Sequence, residues 1–162
     1  MSNTPINYTL GKDFITFSGI STNISYYLQS YDGLGFDAGS TQTSSPYGPI
    51  YQPGDVIIYN QFSATFIIDE SWEVYQTISE MAIKNAPLDG SSYEPTLTDI
   101  TLHLMNNTYQ KEVAQIVMYY GYISNIMNVQ NNYSTNDNTI PPKTMNVLIK
   151  YQYSKFFRIE DQ

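Results

Sequence analysis

The sequence contains no cysteine, which excludes a disulfide framework, a thiolate metal site and a cysteine nucleophile. It contains one histidine, His103, so imidazole chemistry would rest on a single side chain. No Lys or Arg occurs between Lys12 and Lys84, although that stretch carries Asp13, Asp32, Asp37, Asp55, Asp69, Glu70, Glu73 and Glu80. Over the whole chain, Lys+Arg 7 against Asp+Glu 15 gives a net charge of −8, which opposes a broad grip on nucleic-acid phosphates. No run approaches the ~20 apolar residues of a membrane helix. The opening residues Met1 to Pro5 have neither the basic start nor the apolar stretch of a secretory leader, so synthesis in a cytoplasm and no membrane span are expected.

What is present suits contact. A length of 162 residues is expected to form one domain over 1–162. Charged residues make up 14% of the chain and aromatics 15%, with 16 Tyr, so the polar surface is built largely from Asn, Gln, Ser, Thr and tyrosine hydroxyls. Basic residues gather at the end, at Lys143, Lys150, Lys155 and Arg158. Such asymmetry is either solvated within one chain or matched between copies of it.

Strand signals dominate. Residues 55–60 and 62–68 are β-branched and aromatic runs introduced by Pro53 and Gly54. Residues 98–104 alternate, with Ile100, Leu102 and Leu104 on one face, and 113–122 reads as a more fully buried run. The C-terminal alternation puts Met145, Val147, Ile149, Tyr151 and Tyr153 on one side. Weaker strands are expected at 14–17 and 24–29. One segment, about 69–86, has helical spacing instead: Val74, Tyr75, Ile78, Met81 and Ala82 form a stripe, Asp69 is the expected N-cap, Lys84 falls in the last turn and Pro87 stops the helix. Trp72 lies off the stripe, as a helix-start core contact or a contact for another chain. Two long polar loops are expected, at 30–54 and 128–143. The first interleaves Tyr31, Phe36, Tyr47 and Tyr51 with glycine, proline and hydroxyl residues, and loops of that length are usually functional.

No motif carries catalytic chemistry. Gly33 and Gly35 lack the third glycine and following helix of a dinucleotide fingerprint. His103 stands on the polar face of its strand without a second ligand type nearby, and no strained Gly-x-Ser-x-Gly turn presents a nucleophile. Among the acids, no spacing singles out a glycosidase pair. A non-enzyme without cofactor or metal is expected.

The stretch from Pro46 to Ala86 resembles the tail tube proteins of contractile-tailed bacteriophages, including the related tube-initiator and tube-terminator subunits. That family places a strand ending in Phe-x-Val-Asp-Glu before a short helix, and Phe66, Ile67, Ile68, Asp69, Glu70, Tyr75 and Ile78 stand at the matching positions. Met81 stands where the family has Trp, and Trp72 comes earlier. Residues 99–126 resemble the family's paired strands, and 153–159 its closing strand. The resemblance implies a mainly β fold, a small antiparallel β-sandwich or barrel with one flanking α-helix. It also implies stacked hexameric rings of one subunit, a lumen that conducts DNA without binding it specifically, and tail sheath and baseplate or neck proteins as partners in a virion. Candidate assembly contacts are Tyr31, Phe36, Tyr47, Tyr51, Trp72, Lys150, Lys155 and Arg158. A Tyr- and Asn-rich sandwich without catalytic residues fits a second class, a carbohydrate- or receptor-binding module.

Overall fold

The computed structural model describes residues 12–20, 27–85, 96–106, 111–127, 129 and 142–159. In chain order the elements are β1 (Phe14–Phe17), β2 (Leu28–Asp32), β3 (Phe36–Asp37), β4 (Ser40–Ser45), β5 (Gly48–Pro53), β6 (Ile58–Tyr59), β7 (Phe62–Ile67), α1 (Glu73–Lys84), β8 (Thr98–Met105), β9 (Glu112–Ile126), β10 (Thr144–Lys150) and β11 (Tyr153–Arg158). The protein is mainly β, with antiparallel pairing throughout the described strands.

Sequence alternation becomes alternate burial. Ile15 and Phe17 of β1, Phe62, Ala64 and Phe66 of β7, Ile100 and Leu102 of β8, and Met145, Val147 and Ile149 of β10 all turn into one core. Seven strands carry it, in the order β1-β8-β9-β10-β7-β2 with β11 beside β9. Because residues from both ends of this order share one cluster, the sheet closes over itself as a sandwich.

β9 joins the two layers. β8 lies along one edge of it and β11 along the other, while β10 continues into β11 in constant register from Ile149↔Ile123 to Arg158↔Ala114. The inward phase of β9 changes along its length, from Ala114 and Met118 to Gly121 and Ile123. Between them Tyr120 has φ 55, and its N–H donates to Asp99 Oδ1 at 3.2 Å, where the pairing with β8 slips by one residue. One extra residue is thereby absorbed, and the second half of β9 aims its side chains at the opposite layer.

The helix covers the core as its stripe implies. Val74 and Ile78 are buried, and Tyr75, Met81 and Ala82 pack half-buried against the cluster. The expected N-cap needs correction. The helix starts at Glu73 after Trp72, whose backbone is left-handed at φ 61, and Asp69 caps from outside it. Its carboxylate accepts the N–H of Glu73 at 3.3 Å and of Val74 at 3.1 Å, and also the Ser71 hydroxyl. The Ser71 hydroxyl foremost, with those amides, holds the Asp69 carboxyl below its usual value.

Other differences follow from missing neighbours. The strand expected at 55–60 shrinks to Ile58–Tyr59, which among the described residues pairs with the two-residue β3 alone. The segment 30–54, expected as a loop, extends β2 to Asp32 and then builds the β4–β5 hairpin. The C-terminal run divides at Tyr151 and Gln152 into β10 and β11. Half of the strand expected at 24–29, residues 24–26, lies outside the described residues, while Leu28 and Gln29 open β2; most of the loop expected at 128–143 also lies outside them.

Candidate assembly surfaces

The β4–β5 hairpin stands away from the core. Its register runs from Ser40↔Pro53 to Ser45↔Gly48, with Pro46 and Tyr47 as the connection. The Ser45 hydroxyl donates to Gly48 O at 2.8 Å and accepts the Tyr47 N–H at 3.3 Å, which sets the tight turn. All its strand residues are exposed except the half-buried Ser45, and no charged residue lies between Asp37 and Asp55. Tyr47 at the tip is 100% exposed and Tyr51 69%, with Ile50 beside it. At the base Val56, Ile57 and Ile58 are also exposed, as is Phe36. Exposed apolar side chains thus recur along this segment, interleaved with hydroxyls and amides.

The hairpin base is tied to the C-terminal strands through rings. Phe36 lies 6.1 Å from Tyr59, and Tyr59 lies 5.8 Å from Tyr151 at the β10–β11 junction. Burial pushes the Tyr151 hydroxyl above its ordinary value.

β11 is a second open surface. It pairs with β9 alone among the described strands. Phe156 is 63% exposed and Phe157 is exposed as well. Tyr119 and Tyr153 stack at 4.8 Å, and the Lys155 ammonium sits 5.8 and 5.9 Å from the two rings. Lys150 and Arg158 are exposed and meet no carboxylate among the described residues.

The remaining candidates lie elsewhere. Tyr31 is half-buried on β2, its hydroxyl donating to Asp13 Oδ2 at 2.6 Å and its ring 5.8 Å from Phe62. Asp13 Oδ1 also accepts the Met105 N–H at 2.9 Å, so this carboxylate clasps β1, β2 and β8. Burial first, then the Asp13 carboxylate, pushes the Tyr31 hydroxyl well above its ordinary value. Trp72 stands edge-on to Tyr75 at 5.6 Å with the Lys143 ammonium 5.4 Å from its ring, and it stays exposed. Tyr47, Tyr51 and Phe36 therefore cluster about the hairpin, Lys155 and Arg158 sit on β11, Lys150 ends β10, and Tyr31 and Trp72 join neither group.

Among the described residues the one histidine serves packing. His103 Nδ1 lies 2.5 Å from Glu112 Oε1, its Nε2 2.8 Å from Thr16 Oγ1, and its ring stacks on Phe14 at 4.3 Å. Both ring nitrogens are thus engaged in holding β1, β8 and β9 together. A cleft of about 280 Å³ between the C-terminal end of α1 and β8–β9, walled by Ile20, Met81, Lys84, Thr98, Ile100 and Tyr122 among others, has no carboxylate or histidine among the described residues of its lining. Among the described residues no three His, Cys, Asp or Glu group as metal ligands, and no helix is long and apolar enough to cross a membrane.

Sequence reasoning missed Ile50, Val56, Ile57 and Phe156 as surface residues. Their residue types suit a core strand, and what exposes them is the lack of a covering layer. One signal was available: Pro49 and Pro53 inside an extended run mark an edge.

No protein-family model matches the chain, and no curated protein sequence matches it. Solved structures do. A chain of the sheath–tube complex of an extracellular contractile injection system in its extended state matches with a TM-score of 0.63 and 11% identity, over 97% of this chain and 94% of that one. A chain of the tube-terminating cap of the anti-feeding prophage matches with a TM-score of 0.68 and 10% identity, over 98% and 97%. An Hcp protein matches with a TM-score of 0.51 and 13% identity, over 82% and 76%. At such identities the likeness is one of fold. The chain has the fold shared by contractile-injection-system tube, tube-terminator and Hcp proteins.

Proposed function

We propose that the chain is a single-domain, non-catalytic subunit of the tube of a contractile injection machine, assembling with its own copies into six-membered rings that stack. The observation that carries this reading is a fold shared over nearly the whole length with chains of sheath–tube and tube-cap assemblies. Two open surfaces, the hairpin and the β11 edge, supply what assembly needs. The phage-like stretch from Phe66 to Ala86 makes the machine a bacteriophage tail, its location the virion, and its further partners the sheath and the baseplate or neck proteins. DNA passes through the lumen in this reading. A lining drawn from the cation-free stretch between Lys12 and Lys84 offers the duplex no phosphate contact and lets it slide.

Sedimentation and negative-stain electron microscopy of the purified protein over a concentration series test the reading. Rings or tubes without metal or nucleotide are expected. A protein that stays monomeric at high concentration refutes it, and a monomer that binds glycans supports the carbohydrate-binding alternative. A strongly positive lumen in the assembled tube would remove the DNA conduit while leaving the tube.

A further inference from the structure

The two long edges of the hairpin are chemically different. Gly54 N–H donates to Gly39 O at 3.2 Å, one step below the Ser40↔Pro53 pair. Bonded and unbonded pairs alternate in an antiparallel ladder. The pairs Thr41↔Gln52, Thr43↔Ile50 and Ser45↔Gly48 therefore bond inside the hairpin. The backbone groups of Ser40, Gln42 and Ser44 point out from β4, and those of Pro49, Tyr51 and Pro53 point out from β5. Two of the three outward positions on β5 are prolines, which have no N–H to give. The β4 edge can accept another strand and the β5 edge is blocked.

A matching edge exists on β11. Ile159 N–H donates to Val113 O at 3.0 Å, so by the same alternation Phe157 and Lys155 bond toward β9. Ser154, Phe156 and Arg158 turn their backbone groups outward, and none is a proline. Both β4 and β11 have 6 residues.

Building on the assembly reading, we infer that β4 of one copy takes the open β11 edge of a second copy, antiparallel, with Ser40 opposite Arg158, Gln42 opposite Phe156 and Ser44 opposite Ser154. Charge selects the direction. Antiparallel pairing brings Arg158 to the hairpin base near Asp37, whereas parallel pairing carries it to the uncharged tip. Directly opposed residues share a face, so Phe156 comes beside Gln42 on the face that Tyr51 occupies, and its exposed ring is covered. Charge also selects the partner: Arg158, which meets no carboxylate among the described residues, comes to a hairpin whose two flanking charges, Asp37 and Asp55, are both acidic. The contact joins two different patches, so it propagates into rings or filaments instead of closing at a dimer.

The absence of cysteine makes a direct test possible, because introduced thiols are the sole thiols in the chain. Gln42→Cys and Phe156→Cys, made singly and together, are treated with a short bis-maleimide at a concentration where the unmodified protein assembles. The double variant is expected to give a ladder of dimers, trimers and higher species, and each single variant to stay monomeric on denaturing gels. Dimers from Gln42→Cys alone would show β4 pairing with itself and overturn the inference. A double variant that sediments as an assembly yet gives no ladder overturns it while leaving the tube reading standing. An unmodified protein that never assembles removes the tube reading and this pairing together. Should the cysteine pair disturb assembly, Gln42→Pro and Gln42→Ala decide. Proline at an outward position is already tolerated on β5, and loss of one outward N–H from β4 is expected to raise the concentration needed for assembly roughly tenfold. Gln42→Ala keeps that N–H and is expected to raise it far less, and equal effects would refute the pairing.

Discussion

Gly33 follows β2 with φ +93, and a Cβ built there would lie 2.1 Å from the carbonyl oxygen of Gln61 and 3.3 Å from Phe62 Cα. Phe62 is fully buried, so the backbone that would have to yield is anchored in the core. Clearing the overlap requires the two chains to separate by about 1 Å in a close-packed region. Gly33→Ala is therefore expected to combine left-handed strain of about 1–2 kcal/mol with overpacking of about 1–3 kcal/mol. The stiffer unfolded chain returns about 0.4–1 kcal/mol. Gly19 is the control, with φ +83 and no atom within 4 Å of an added Cβ. Gly19→Ala has the strain without the overlap, and about 1 kcal/mol is its expected cost. For a chain of this length each kcal/mol lowers Tm by about 2–4 °C, so Gly33→Ala should melt roughly 5–15 °C below the parent and Gly19→Ala a few degrees below. Urea unfolding at a concentration where sedimentation shows no assembly measures both. Losses equal within about 0.5 kcal/mol would refute the overlap and leave strain as the sole effect.

Gly121 has an ordinary backbone, but an added Cβ would meet Ile100 Cδ1 at 2.9 Å and Thr98 O at 3.1 Å, so Gly121→Ala should cost about 1–3 kcal/mol in the same unfolding assay. The raised Tyr31 pKa gives a stability contribution complete below the ordinary tyrosine value near 10 and lost as pH climbs from there through the folded-state pKa; Tyr31→Phe should therefore flatten the alkaline loss of stability, measured by urea midpoints at pH 8 and above. Gly39 and Gly54 are bonded across the hairpin base, so replacing Ser40–Pro53 by a short turn should preserve the circular dichroism spectrum and abolish assembly seen by sedimentation. Exposed charge pairs are screened beyond ~8 Å at physiological ionic strength, so molar salt and Arg158→Glu should each weaken assembly, and polymer mass unchanged by both would sink charge matching between copies.

The parts of the fold that were legible in the sequence are those with one wet and one dry side. β1 coincides with the expected 14–17, β7 and β8 differ from expectation by a residue at one end, and the stripe on α1 is the buried one, because burial itself writes the period. The hairpin writes no period, since no described residue buries either of its faces and its strands are held by their backbone ladder and the Ser45 hydroxyl at the turn. Asp69 was legible as the acceptor that caps the helix and illegible as to position, because a left-handed turn at Trp72, beside Tyr75 and Lys143, stands between it and the first helical residue. The slip at Tyr120 was hidden for a like reason: tyrosine gives no sign of a left-handed backbone, and Asp99 supports it from another strand. Of the candidate site, Tyr47, Tyr51, Phe36, Lys155 and Arg158 reach the two open surfaces, while the phase that tells one hairpin edge from the other needed the register.

The position of β10 between β9 and β7 sets the order of events during synthesis. Its pairing of Thr144 with Ile67 joins residues 144 − 67 = 77 positions apart. At about 5–20 residues per second a ribosome takes about 4–15 s to add that many, and through that interval β7 waits with one edge unpaired. Chains whose contacts are this distant fold in milliseconds to seconds once complete, so elongation and not folding is the slow step. β11 follows β10 along β9, so the edge inferred above to take a second copy is made after β7, β9 and β10. In that pairing, nascent chains on one message lack the edge through which they would join until the strands it rests on have been made, a delay that comes from strand order alone.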